Sequence, residues 1–157
     1  MRKITVLCVG RLKEKFYIDA AAEYVKRLSR FCDLKILEIP ESRPPVHPSP
    51  AQIETALLKE SVILKSKFPA DAYIISLCIE GKALSSVDFA AKLLETSARP
   101  LLFIIGGSYG LHESIKKLSN LKLSMSNMTF PHHLARVMAL EQIYRACQIN
   151  AGGEYHK

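Results

Sequence analysis

Three short segments of this chain combine residue types that could hold an organic ligand. They are Leu77 to Lys82, Gly106-Gly107-Ser108-Tyr109-Gly110, and Met125-Ser126-Asn127-Met128-Thr129-Phe130. The first two close apolar runs, and the third follows a shorter one. Glycine after a strand lets a ligand approach the backbone and leaves amide groups free to donate. A Gly-Gly pair in that position serves a tight βα turn equally well. The glycine segment lacks G-x-G-x-x-G spacing, and too little chain follows it for the second half of a dinucleotide-binding fold, so that fold is excluded. There is no P-loop and no G-x-S-x-G elbow.

A second group of candidates lies further on. His132-His133 invites a metal reading, but neighbours on a helix diverge by about 100°, whereas paired ligands favour i,i+4 spacing. The pair therefore reads as histidines at a helix terminus, and no metal is expected. Arg136 and Arg145 point to opposite sides of a helix, and Glu141 is placed to pair with Arg145. Cys8, Cys32, Cys78 and Cys147 are isolated from one another; they read as reduced thiols, with no disulfide and no zinc site.

The elements that must position these residues alternate in type. Ile4 to Val9 reads as a buried strand ending at Gly10. A helix carries Phe16, Ala20, Tyr24, Leu28 and Phe31 at helical spacing. Leu34 to Ile39 is a second strand, stopped by Pro40, and the stretch from Pro40 to Pro50 holds five of the eight prolines, so it must be a loop. A helix through Ile53, Ala56, Leu57 and Leu64 leads to a third strand, Tyr73 to Ile79. Ser85 and Asp88 have capping spacing for a helix through Val87, Ala90, Leu93 and Leu94. Leu101 to Ile105 is a fourth strand, and a helix from about Gly110 would pair Glu113 with Lys117. A short strand at Leu121 to Leu123 precedes a last helix, opened by Pro131 and carrying Leu134, Val137, Met138, Leu140, Tyr144 and Cys147. Apolar strand runs that hardly alternate, interleaved with helices, predict an α/β fold with a mainly parallel sheet covered on both faces.

The 157 residues suit one domain, and 48% hydrophobic with 24% charged residues is a globular profile. A formal charge of +7 favours a polyanionic partner. The apolar start is too short for a signal segment and no window approaches a membrane span, so a soluble, cytoplasmic protein without membrane contact is expected.

Blocks of sequence in order along the whole chain resemble the large-subunit ribosomal RNA methyltransferase H family, of the SPOUT superfamily. They are Ile4-Thr5-Val6-Leu7-Cys8-Val9-Gly10-Arg11-Leu12-Lys13, Ile104 to Leu111, Met128-Thr129-Phe130-Pro131-His132, Glu141 to Ala146, and the ending Tyr155-His156-Lys157. The resemblance implies a homodimer of single domains, 1–157, with a C-terminal trefoil knot over about 72–157 that holds S-adenosylmethionine. It implies methylation of N3 of a pseudouridine in 23S ribosomal RNA, with the assembled ribosome as partner.

By position, the resemblance makes Leu77, Gly106, Met125, Ser126, Asn127, Met128, Thr129 and Phe130 the cofactor-binding residues, with Leu77, Met125 and Met128 able to sandwich adenine. It makes Tyr155, His156 and Arg136 the candidate catalytic residues, the tail approaching the site across the dimer interface. His156 could act as a base or hold the RNA, and the reading here is the second. Two other functions fit the same charge and fold class: a SPOUT methyltransferase acting on tRNA, and a non-catalytic RNA-binding module.

Overall fold

Each apolar run becomes a strand in the computed structural model, which describes residues 1–157 throughout. The elements are β1 (Arg2–Val9), α1 (Lys15–Leu28), β2 (Cys32–Ile39), α2 (Pro50–Ser66), β3 (Tyr73–Ala83), α3 (Ser86–Glu95), β4 (Leu101–Ile105), α4 (Glu113–Leu118), β5 (Leu121–Ser124) and α5 (His132–Asn150). The strands form one sheet in the order β2-β1-β4-β3-β5, and every pairing is parallel. β4 enters between β1 and β3, with Leu101 opposite both Ile4 and Tyr73.

Side-chain alternation sorts the core into two layers. Ile4, Val6, Cys8, Leu101, Phe103 and Ile105 pack with residues of α1, α3 and α5 on one face. Leu7, Val9, Leu102 and Ile104 pack with Leu64 of α2 and Ile115 of α4 on the other. Both faces of the central strands are dry, which is why their sequences show no polar alternation.

Several local expectations are corrected. The buried stripe of α1 runs through Ala21 and Leu28, and Phe16 lies exposed. On α3 the core takes Phe89, Ala90 and Leu93, while Val87 and Leu94 face outward. Pro50 is the first residue of α2 rather than part of the loop; Ser49 caps the helix, its hydroxyl accepting from the Gln52 amide at 3.2 Å while the Gln52 side chain accepts from the Ser49 amide at 2.9 Å. Helix α4 begins at Glu113, later than expected, with His112 as its cap. Its ion pair joins Lys116 to Glu80, in place of the expected Glu113–Lys117 pair. Helix α5 buries Ala135, Ala139 and Ala146 along with Leu140, Ile143 and Tyr144. Leu134, Val137 and Met138 are only partly covered. Small residues face inward because α5 is wedged between α1 and α3 against β4, where a longer side chain has no space.

β3 departs from regularity where it meets β5. Leu77 and Lys82 both pair with Leu123, so residues 78–81 are looped out of the ladder. A β-carbon on Gly81 would stand 2.6 Å from the Lys122 carbonyl oxygen, which makes this bulge a glycine position.

Candidate functional site

The carboxyl ends of β3, β4 and β5 surround a cavity of about 380 Å³, within the ~300–1,000 Å³ usual for small-molecule sites. Leu77, Gly106, Met125, Ser126, Met128, Thr129 and Phe130 line it; Asn127 does not. The bulge of β3 turns Cys78, Ile79 and Glu80 into the same wall, and Lys116, His132 and Ala135 complete it. The loop after β5 is shaped by its own serines: the Ser124 hydroxyl donates to the Ser126 carbonyl at 3.1 Å, and the Met128 amide donates to the Ser126 hydroxyl at 3.0 Å.

The glycine segment closes on itself. A β-carbon on Gly106 would lie 2.5 Å from the Gly110 carbonyl oxygen, and the Gly110 amide donates to the Gly107 carbonyl at 3.1 Å. Gly110 itself has φ +80, a conformation that favours glycine. The missing side chain at Gly106 thus permits a tight turn, and the turn sets the cavity wall.

Charge in the cavity is largely neutralised. Lys116 meets Glu80 at 2.5 Å. That ammonium holds the Glu80 carboxyl below its ordinary range. Burial works against the Lys116 charge, yet the Glu80 carboxylate outweighs it and raises the lysine. Burial pushes the Cys78 thiol up to about 11, so it carries no thiolate near neutrality.

A second, more polar groove of about 930 Å³ lies beside the first, over the carboxyl ends of β1 and β2. Gly10 to Glu14 and the proline-rich loop from Pro40 to Pro48 frame it. The loop is tied at its base, because the Ser108 amide donates to the Glu41 carboxylate at 3.2 Å and the Ser42 amide donates to the Glu60 carboxylate at 2.8 Å. Burial works to raise the Glu41 carboxyl, but hydrogen bonds from Ser108 hold it low. The two cavities share Ser108, Tyr109 and His132.

His132 and His133 do stand at a helix terminus, their rings 4.2 Å apart. His133 faces Glu14 at 3.4 Å. No set of three or more His, Cys, Asp or Glu side chains is arranged to hold a metal ion.

The three candidate catalytic residues are not brought together. Arg136, only 2% exposed, bonds the Glu38 carboxylate at 2.5 Å and the Gly10 carbonyl at 2.9 Å, fastening α5 to the ends of β1 and β2. It is no solvated charge in this chain. Tyr155 and His156 fold onto the far half of α5. The Tyr155 ring packs on Tyr144 at 4.8 Å, its hydroxyl donates to Glu141 at 3.3 Å, and the Arg145 guanidinium sits 4.6 Å above it. Arg145 also pairs with Glu141 at 2.7 Å and meets His156 Nδ1 at 3.1 Å. Ala135 lines the cavity and Arg145 holds the tail, so the helical rise separates them by about 15 Å.

Cys78 to Glu80 belong to the first segment singled out in the sequence, whereas nothing in the sequence marks Lys116 or Ala135 as cavity residues, and His132 reads there only as a helix-terminus histidine. Gly81 is the one signal for the bulge that turns Cys78 to Glu80 into the wall.

The sequence matches the family described as "Predicted SPOUT methyltransferase" over residues 2–156. The ribosomal RNA large subunit methyltransferase H of Bifidobacterium adolescentis is 46% identical over 158 residues, covering 99% of each chain. The protein of the same description from Streptococcus equi subsp. zooepidemicus is 42% identical, again over 99% of each. Among solved structures, a probable methylase family protein from Haemophilus influenzae Rd KW20 superposes with a TM-score of 0.56 at 12% identity, over 99% of this chain and 71% of that one. The SpoU methyltransferase AviRb from Streptomyces viridochromogenes, in complex with AdoMet, gives 0.50 at 15% identity, over 97% and 59%. At such identities the two superpositions speak for the fold.

Proposed function

The chain belongs to the SPOUT methyltransferases, among the ribosomal RNA large subunit methyltransferase H proteins, and from that premise we propose that it methylates N3 of a pseudouridine in 23S ribosomal RNA on the assembled ribosome. It is a ribosomal RNA methyltransferase, and its methyl donor is S-adenosylmethionine. The observation that carries the reading is the cavity over β3, β4 and β5, to which loops far apart in sequence contribute the residues expected of a donor site. Leu77, Met125 and Met128 offer apolar surface for adenine, and Ser126 and Thr129 offer hydroxyls for the ribose. The donor supplies an activated methyl group on sulfur. The chain's part is to bind, orient and exclude water.

Residues 72–157 form the knotted, cofactor-binding part in this reading. Its support is the sheet order: β4 sits inside β3 while β5 lies on the far side, next to the looped-out residues 78–81. The protein acts as a homodimer in the cytoplasm. Partly covered Leu134 and Met138 on α5 and exposed Met128 and Phe16 supply apolar surface for a second copy. A tail about 15 Å from its own cavity has reason to serve the partner's, with Tyr155 and His156 holding the RNA there. No helix is long and apolar enough to cross a membrane.

The test uses ribosomes from cells lacking this protein, labelled with tritiated S-adenosylmethionine and mapped by mass spectrometry of RNA fragments. A single methyl on a 23S pseudouridine is expected. Label in tRNA alone, or cofactor binding without transfer to any RNA, would overturn the reading.

A further inference from the structure

The donor cavity and the polar groove meet at Ser108, Tyr109 and His132 alone. An acceptor base that enters from the groove and takes a methyl group from the cavity must pass these three residues. We infer that His132 is the base that removes the acceptor's ring N–H proton. This rests on the methyltransferase reading above and names the group that reading leaves unassigned.

The titratable side chains lining the donor cavity are Cys78, Glu80, Tyr109, Lys116 and His132. Lys116 occupies Glu80. Burial keeps Cys78 protonated up to about 11. A tyrosine hydroxyl ordinarily ionises near 10 and a lysine carries its proton at neutrality. An imidazole alone exchanges protons in the working range. The ring bonds made by histidines in this chain belong to His112, His133 and His156, which leaves the His132 ring free to face an incoming group.

Its surroundings hold it in the receptive form. Burial disfavours the His132 cation, as do the neighbouring His133 and Arg136, and these outweigh Glu41 and Glu14, so the imidazole titrates below its ordinary value. The positive end of α5, at whose first turn it stands, acts in the same sense. At neutral pH the ring therefore has a lone pair to offer, while Glu41 lies close enough to favour the imidazolium once formed.

In the step itself, the proton on the acceptor nitrogen passes to a ring nitrogen of His132. The nitrogen's electron pair forms the new N–C bond as the methyl carbon leaves sulfur. The C–S pair stays on sulfur as a neutral thioether, and His132 later returns its proton to water. Atoms and charge balance without a further reactant.

The test compares wild type with His132→Asn, His132→Gln and His132→Ala in single-turnover methylation of ribosomes, between about pH 5 and pH 9. The wild-type rate should climb with pH through the histidine's titration and then level. The variants should lose that limb and fall roughly 10²–10⁴-fold, while calorimetric affinity for S-adenosylmethionine changes by less than about fivefold. Added imidazole should restore part of the His132→Ala rate. His133→Asn should keep the limb, since its ring is engaged by Glu14. An asparagine or glutamine variant that binds the cofactor normally and keeps the wild-type limb and rate would overturn the assignment, and a limb lost in His156→Asn instead would move it to the tail. A wild type that labels no RNA overturns the methyltransferase reading as well.

Discussion

The Arg136 guanidinium spans 98 residues of sequence to reach the Glu38 carboxylate at 2.5 Å, while its second nitrogen holds the Gly10 carbonyl at 2.9 Å. One side chain thus sets the height of α5, and of the cavity residues at its start, against β1 and β2. Arg136→Met should cost about 2–4 kcal/mol, below the full cost of breaking a buried pair because Glu38 is partly exposed. Urea unfolding measures it, and the double variant with Glu38→Leu should recover part of the loss. A fully stable Arg136→Met would show that α5 is seated by its apolar face alone.

The glycine turn gives a second prediction. In Gly106→Ala the new methyl meets backbone at Gly110, which cannot move aside as a side chain could. Overpacking of this kind costs roughly 1–3 kcal/mol, and the turn should shift enough to abolish measurable S-adenosylmethionine binding by calorimetry. Gly152→Ala, in open space at positive φ, carries only the backbone strain and should bind normally.

Removal of residues 154–157 should leave the fold and cofactor binding intact but abolish methyl transfer. Loss of the Tyr155 ring from Tyr144 and Arg145 costs some stability, about 1–2 kcal/mol, visible as a lower Tm. Sedimentation at micromolar concentration should still give a dimer. Co-expression of the tail-deleted chain with Gly106→Ala chains should restore roughly a quarter of the wild-type rate, since half the dimers are mixed and each holds one complete site. No recovery would place tail and cavity in the same subunit.

Glu60 sets a pH dependence of stability. The residue is 4% exposed; burial raises its carboxyl's pKa, opposed by the Ser42 amide and aided by the Glu41 charge. A carboxyl raised in the folded state binds its proton more tightly there than in the unfolded chain. Stability should therefore fall as pH rises from the ordinary value near 4.5 through the raised one. Glu60→Gln keeps an acceptor for Ser42 but has no charge to bury. Across that window its urea midpoint should stay flat relative to wild type, and at neutral pH it should match or exceed it.

The sheet was legible because buried parallel strands need unbroken apolar runs, as in Leu101 to Ile105, and their carboxyl ends located the cavity. Contacts made by distant partners were not legible. Ile79-Glu80-Gly81-Lys82 looks like the stop of a strand until β5 is placed beside it, and only then do residues 78–81 loop out. Which apolar residues of α5 turn inward was not legible either, because the neighbouring helices bury Ala135 and Ala139 and leave Leu134 and Met138 partly covered. On α1 the stripe read from helical spacing holds at Tyr24 and Leu28, but its first residue, Phe16, lies outside the core. Arg136 carries no local mark of burial, since Glu38 and Gly10 belong to the other end of the chain.

The place of β4 dictates when this protein can fold. β1, β2 and β3 are complete by Ala83, yet β1 and β3 touch only through a strand that ends at Ile105. Until that segment leaves the ribosome, the two strand edges that β4 will join stay unpaired, and the nascent chain has no common core. α5 then closes one face last of all. Its synthesis should proceed with long-lived exposure of apolar strands, and slow, chaperone-sensitive maturation follows from topology alone.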